Sequence, residues 1–455
     1  MLALALTVVA VGLLALHQTA AVPVGSAVRT WLVLAALAAL AHLTLWWAAR
    51  PADLLLLPIV VLLTGLGLVM IMRLDAEAAS TARVLGTAGH RADAPLQLVW
   101  TALGVACFVG VVIGVRDPSR TARYTFTAAA VGLVLLVMPG LPVLGTTING
   151  ARLWLRIGPF TIQPAEFAKI ILVVFFSSYL ERKRDVLTLV GRRIGPLDLP
   201  RARDLAPLLT VWVASLGVLT LEHDLGLSVL FFGSFVALLF LATNRVGWLA
   251  FGGLLAGVGL FLSYLFVHNV HNRIQTWLHP MQDALGRGYQ PLQAKFALGS
   301  GGISGSGLGQ GQPGLVPFAK TDFMVSSLGE ELGLIGLMAV VLLFALLVER
   351  GLKTAVLTRD AYSKLLAAGL SVVLALQVFF IVGGVTGLIP LTGVTLPWMS
   401  YGGSSVLSNW VLLGLLARLS AAARAPLPQP TDPSVARQAL AEAATQVVVR
   451  PRRDR

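Results

Sequence analysis

Apolar runs of about 20 residues recur along this 455-residue chain, and they restrict its fold more than any other feature. Lipid offers no hydrogen-bond partners, so a segment crossing it must satisfy its own backbone, which a helix does within a single segment. About twelve spans are predicted, at residues 1–16, 30–49, 52–72, 96–115, 122–141, 164–180, 205–222, 225–243, 246–267, 326–348, 362–384 and 397–420. The expected fold class is an all-α polytopic membrane protein with a large extracellular loop, 268–325, between the ninth and tenth spans. Only 12% of residues are charged and mean hydropathy is +0.83, so a soluble core with a polar exterior does not account for the pattern. The first run has no Lys or Arg ahead of it and reads as a retained helix rather than a cleaved signal peptide.

The formal net charge is +13. In a soluble chain such an excess suggests nucleic acid; here the cations flank spans and chiefly set orientation, so no nucleic-acid partner is expected. An even number of spans puts both termini on one side. Arg116, Arg120, Arg123, Arg182, Lys183 and Arg184 gather on that side, which the positive-inside rule makes cytoplasmic, and the 268–325 loop faces outward. The basic run 181–204 reads as an orientation anchor on anionic headgroups. Residues 424–455 read as a disordered cytoplasmic tail. Cys107 is the single cysteine, which excludes an intrachain disulfide and a cysteine-rich metal site. No internal repeat is evident, which disfavours transporter folds built from paired repeats.

Four stretches carry candidate chemistry. In the long loop, glycine recurs from Gly299 to Gly314, so the backbone can take positive φ and let a ligand approach closely. Just beyond it, Asp322 reads as a general base at the edge of the lipid, beside a flexible loop that could close over substrate. The competing reading is an acid at a helix start capped by Thr321. Of Glu330 and Glu331, in the following helix, at least one is expected to face a polar interior. In the second stretch Glu222, His223 and Asp224 interrupt a long apolar region, more ionisable groups than a turn requires, and Asp224 is the functional candidate.

The third stretch, 149–170, sets Trp154 between Arg152 and Arg156, an interfacial element with guanidinium groups able to reach phosphates. Pro164 marks a helix start, and Glu166 and Lys169 share a face of that helix, as a structural pair or as substrate-lining groups. In the fourth, 387–409, Pro390, Gly393, Pro397, Gly402 and Gly403 make irregular backbone, tolerated at membrane depth only where protein or a water-filled cavity covers it. Ser400, Tyr401, Ser404 and Ser405 offer neutral hydrogen-bonding groups suited to sugar or pyrophosphate, with a purely structural corner as the competitor. His268, His271 and His279 with Asp283 lack the intervening Glu of a zincin, so no histidine metal site is expected.

ARLWLRIGPFTIQPAEFAKI, the DLG of EHDLG, WLHPMQDALGRGYQPLQAKFALGSGGISGSGLGQG, KTDFMVSSLGEELGLIG and GLIPLTGVTLPWMSYGGSS together resemble the SEDS family (shape, elongation, division and sporulation; the RodA, FtsW and SpoVE proteins). The five pieces follow in family order over about residues 145–415. Glu222 and His223 stand where the family has Gln-Pro, and Ile381 where Asn is common. The resemblance divides the chain into N-terminal helices at 1–95, about two spans beyond the family's usual ten as in actinobacterial RodA-type members, and a catalytic membrane core at 96–423.

What the resemblance implies is peptidoglycan glycosyltransferase activity, polymerising lipid II on the outer face of the bacterial cytoplasmic membrane. The partner is a class B penicillin-binding protein, with other elongation or division machinery. The family's essential loop aspartate falls on Asp322, its arginine-flanked Trp on Trp154, and its second aspartate on Asp224. Asp322 is expected to take the proton from the acceptor sugar's 4-hydroxyl. Arg152, Arg156, Lys169 and Lys320 are the candidates facing the pyrophosphate, with a divalent cation (Mg2+ or Mn2+) as alternative neutraliser and no organic cofactor. The alternatives are a lipid II flippase and a non-catalytic scaffold. Elongation and division both stay open, the short tail favouring elongation.

Overall fold

The computed structural model describes residues 1–425 apart from 21, 87–90, 142–143, 149–150, 159, 189–191, 195–196, 200–201 and 223. His223 and most of the expected tail therefore lie outside the described residues, as do seven residues of the basic run 181–204. The helices in chain order are α1 (Leu2–Thr19), α2 (Val24–Ala48), α3 (Leu56–Val84), α4 (Ala94–Gly114), α5 (Thr125–Val137), α6 (Ala165–Thr188) and α7 (Ala202–Leu221). There follow α8 (Leu225–Thr243), α9 (Gly247–Phe266), α10 (His268–Leu278), α11 (Tyr289–Gly301), α12 (Met324–Leu357), α13 (Ala361–Thr386) and α14 (Gly403–Arg424).

Among the described residues, ten helices are long and apolar enough to cross a membrane, against the twelve expected, α5 being counted with its flanking turns as Pro118–Gly140. The difference lies at α6 and α7. Glu166, Lys169, Glu181 and Arg182 give α6 too much charge for an apolar span, and the apolar part of α7 is the shorter Ala206–Thr220. Both are nevertheless helices. The protein is a multi-pass membrane protein whose centre is α3, α13 and α14, with 83, 72 and 83% of their apolar windows buried. α9 buries only 6%, which puts it at the periphery with its side chains free for lipid. The α1–α2 hairpin packs on α3, where Val9 lies against Gly65.

The segment between α9 and α12 is folded, not an open loop, and its glycines serve a purpose other than the expected approach of a ligand. α12 breaks at Gly333, whose φ of +69° is outside helical space. The broken turn frees the amides of Leu334 and Ile335, which donate to the carbonyls of Gly302 and Ile303 at 2.9 and 3.1 Å. In return Ser306 and Gly307 donate to the carbonyls of Glu330 and Glu331 at 2.9 and 3.1 Å. A discontinuous helix is tolerable at membrane depth only when its backbone is satisfied again in this way. The two backbones come so close that a Cβ on Gly305 (φ +85°) would lie 2.3 Å from the Glu331 carbonyl oxygen.

Two small antiparallel sheets depart from the helical pattern: β1 (Gly145–Ile148), β2 (Ala151–Ile157) and β3 (Phe160–Ile162) in that order, and the pair β4 (Arg192–Ile194) and β5 (Leu197–Leu199). Alternation along β2 turns Leu153 and Leu155 inward, where both are buried, and puts Arg152, Trp154 and Arg156 on the other face. The chain then enters α6 at Pro164, whose carbonyl accepts from Ala168 at 3.0 Å.

Candidate active site

Asp322 sits in the turn that leads into α12. That turn is tight: Phe318, at φ +58°, accepts from the amide of Thr321 at 2.9 Å. The 396–401 corner fixes it from behind. Tyr401 donates its amide to the Lys320 carbonyl at 2.7 Å, and the Ser400 hydroxyl donates to the Thr321 carbonyl at 2.6 Å while accepting from Leu396 N at 3.0 Å. Bulky residues at positive φ are strained and persist where their surroundings over-determine them. Here both Phe318 and Trp398 (φ +59°) flank the segment that carries the acid.

From this turn Asp322 faces a cavity of about 490 Å³. Its walls are α10, the start of α11, the end of α13 and the irregular stretch 387–394, and its charged residues are Asp322, Arg273, Arg287 and Lys295. α10 lies across the irregular stretch and is pinned to it: Trp277 donates to the Gly387 carbonyl at 2.8 Å, and Arg273 to those of Leu391 and Thr392 at 3.0 and 3.3 Å. The same strand touches α8, where a Cβ on Gly226 would lie 2.4 Å from the Thr392 oxygen. It also passes Asp322, whose Oδ2 lies 4.0 Å from where a Gly393 Cβ would be.

Asp224 caps the N-terminus of α8, its Oδ1 accepting from Leu227 N at 3.0 Å and its Oδ2 from Gln163 Nε2 at 3.1 Å. The charge of Arg273 acts on both carboxylates, Asp224 and Asp322. Burial pushes Asp322 up to about 6, opposed by Arg273 and increased by the charge of Asp224. Burial likewise raises Asp224 to about 6, and burial together with the charge of Asp224 raises Glu222 to about 7.

The other expected site residues are placed differently. Lys320 turns away from the cavity and is held between Asp75 (2.5 Å) and Asp93 (2.7 Å), so it does not face the space in front of Asp322. Glu166 and Lys169 form a buried pair at 2.6 Å, closed off by Gln377 on Lys169 and Ser408 on Glu166, both at 2.9 Å. Lys169 is only 2% exposed, and neither residue of the pair lines the cavity. Ser400 and Ser404 are buried as well: Ser400 holds the Asp322 turn, and Ser404 accepts from Gln163 N at 2.7 Å. Arg152 folds back onto its own hairpin, donating to the carbonyls of Leu141 and Gly145 at 3.0 and 3.2 Å. Trp154 is partly buried on β2, Arg156 is exposed there, and neither lines the cavity.

Sequence reasoning passed over Arg273, Arg287 and Lys295. The signal available was their position on two short helical stretches inside the long loop, between an apolar span and Asp322. As for a divalent cation, the donor set does not form a protein-only site. No group of three His, Cys, Asp or Glu side chains among the described residues is arranged to hold a metal ion, and the charge of Arg273 already acts on both Asp224 and Asp322.

The profile of the cell cycle protein family of FtsW, RodA and SpoVE matches residues 53–425 of this sequence. The chain belongs to that family. The match begins just before α3, and α1 and α2 precede it. Within the family, the chain is 50% identical over 388 residues to the peptidoglycan glycosyltransferase RodA of Mycobacterium tuberculosis (strain ATCC 25618 / H37Rv), covering 85% of this chain and 82% of that protein. It is 46% identical over 423 residues to the RodA of Mycobacterium leprae (strain TN), covering 92% and 88%. Among solved structures, a chain from a peptidoglycan synthase complex that coordinates polymerization and crosslinking superposes with a TM-score of 0.63 at 25% identity, covering 81% of this chain and 97% of that one.

Proposed function

We propose that this chain is a peptidoglycan glycosyltransferase that polymerises undecaprenyl-pyrophosphate-linked lipid II into glycan strands for cell-wall elongation. The observation that carries the reading is one carboxylate facing three cations across one cavity: Asp322 with Arg273, Arg287 and Lys295. Glycosyl transfer needs a proton acceptor at the attacking hydroxyl and positive charge at the departing pyrophosphate. Asp322 takes the proton from the acceptor sugar's 4-hydroxyl. The oxygen so released bonds to the donor's anomeric carbon as the bond to pyrophosphate breaks, and a single displacement inverts that carbon. Arg287 and Lys295 replace Lys169 and Lys320 as the groups that meet the pyrophosphate. A divalent cation is the alternative counter-charge. Polymerisation that survives EDTA leaves the role to the protein's cations, whereas loss restored by Mg2+ or Mn2+ gives it to the ion.

The distribution of cations supports cytoplasmic termini and an Asp322 on the outer face of the bacterial cytoplasmic membrane. The relatives' names support an elongation role, and the neighbouring synthase complex supports a class B penicillin-binding protein as partner. The test is reconstitution of the purified chain with lipid II and a candidate partner, crosslinking blocked by a β-lactam. A ladder of glycan products is expected, and none from Asp322→Asn. Transbilayer movement of lipid II with only monomers recovered would overturn the reading in favour of a flippase.

A further inference from the structure

Arg273 joins the cavity wall to the irregular stretch 387–394. It lies on α10, lines the cavity, and grips the Leu391 and Thr392 carbonyls of the strand that runs between the α8 N-terminus and Asp322. Its charge acts on two acids from different parts of the chain, Asp322 before α12 and Asp224 before α8. We propose that Arg273 is a positioning residue whose single positive charge is divided between Asp322 and Asp224, so that Asp224 sets how strongly Arg273 supports the base. The proposal rests on the reading of Asp322 as that base.

The geometry favours this over a direct grip on substrate. Two backbone carbonyls already fix the guanidinium, and the stretch they belong to passes Asp322 at Gly393 and the start of α8 at Gly226. Arg287 and Lys295 line the same cavity from α11 and the turn before it, both exposed, so water screens their effect on Asp322 more than that of the partly buried Arg273. Asp322 is thus faced by Arg273 on α10, Asp224 at α8, Thr321 beside it, and the two exposed cations across the cavity. Asp224 in turn is faced by Glu166, Arg273, Gln163 and, two residues before it, Glu222.

The test is the pH dependence of lipid II polymerisation by the full chain with its partner, in four variants. Removing an opposite charge next to a carboxylate raises its titration by about one unit or more. Arg273→Gln is therefore expected to move the acidic limb of kcat/KM up by about one pH unit, and raising the pH restores the lost rate. Arg273→Lys keeps the charge and leaves the limb near its original place. Asp224→Asn keeps the α8 cap acceptor and moves the limb down. The double variant Arg273→Gln/Asp224→Asn moves it less than Arg273→Gln alone. Thermal melting of each variant in detergent separates these shifts from misfolding, and Asp224→Asn carries the test if Arg273→Gln does not fold. A raised KM for lipid II with all limbs unmoved would overturn the proposal and make Arg273 a substrate contact. Asp322→Asn keeps the two failures apart: activity in that variant sinks the base itself, whereas an inactive Asp322→Asn with unmoved limbs in the others sinks only the role of Arg273.

Discussion

Two clusters of charge flank the segment 302–323. On one side, Arg73 of α3 meets Glu77 at 3.0 Å, Glu331 at 2.8 Å and the Gly311 carbonyl at 2.6 Å. Glu330 takes the Gln312 amide at 2.7 Å, Glu331 that of Gly309 at 3.0 Å, and Glu77 that of Gly314 at 3.2 Å. On the other side, Arg273 and Asp322 line a cavity, and Asp224 caps α8 outside its walls. In the first cluster each carboxylate has a fixed donor and the segment is stapled to α3 and α12. In the second, Asp224 likewise has fixed donors in Leu227 and Gln163, whereas Asp322 faces the cavity, where a substrate can reach it. The same residue types thus hold the shelf in place on one side and do chemistry on the other, and the difference is the number and kind of partners per charge.

Asp322→Asn gives the largest effect on activity. Loss of a general base typically lowers turnover by about 10²- to 10⁴-fold. Stability should not fall. The folded carboxyl titrates at about 6, above its ordinary 3.8, so its ionisation opposes folding, an effect absent below about pH 4 and complete above about 6. Asn removes that opposition, so melting at pH 7.5 is expected unchanged or higher. For wild type the sign gives activity that rises with pH through about 6. A variant that melts early would move Asp322 into the structural class and erase the contrast.

Arg73→Ala should do the reverse. Removing one partner of a buried ionic group costs about 3–5 kcal/mol, read as a large drop in melting temperature in detergent. Whatever material stays folded should polymerise lipid II. Gly305→Ala probes the same staple more gently: its φ of +85° and the 2.3 Å approach to the Glu331 carbonyl make the change cost about 1–3 kcal/mol. If either variant were fully stable yet inactive, the staple would belong to the catalytic machinery.

The sequence showed one cluster better than the other, for reasons of chain distance. Asp322 and Asp224 stand out because each interrupts or borders apolar sequence, where an acid is conspicuous without knowledge of its neighbours. Arg273 is one of several scattered cations, and its importance arises only when α10 folds across residues 391 and 392, more than 100 positions away. The partners of Lys320 are hidden for the same reason, since Asp75 and Asp93, which hold it, lie more than 220 residues upstream. The glycines announced a close approach correctly, but composition does not say what approaches, and here it is the broken backbone of α12. Apolar periodicity gave the helices and not the three-stranded sheet, because Arg152 to Ile157 alternates polar and apolar over too few residues to separate a strand from an interfacial helix.

Arg156→Ala should have the smallest effect, and it sharpens the comparison by testing a charge that belongs to neither cluster. Arg156 is exposed on β2, opposite Thr161 of β3, and is absent from the cavity walls. An exposed charge with no fixed partner contributes little to stability, typically under about 1 kcal/mol. Melting within a degree or two of wild type and polymerisation within about twofold are expected at moderate salt, where the Debye length of about 8 Å screens its field from Asp322. Lowering the salt should widen any residual difference if the guanidinium only attracts anionic lipid to the sheet. A tenfold loss that persists at high salt would mean the sheet forms part of the path along which the pyrophosphate travels, and the cations that matter would then extend beyond Arg273, Arg287 and Lys295.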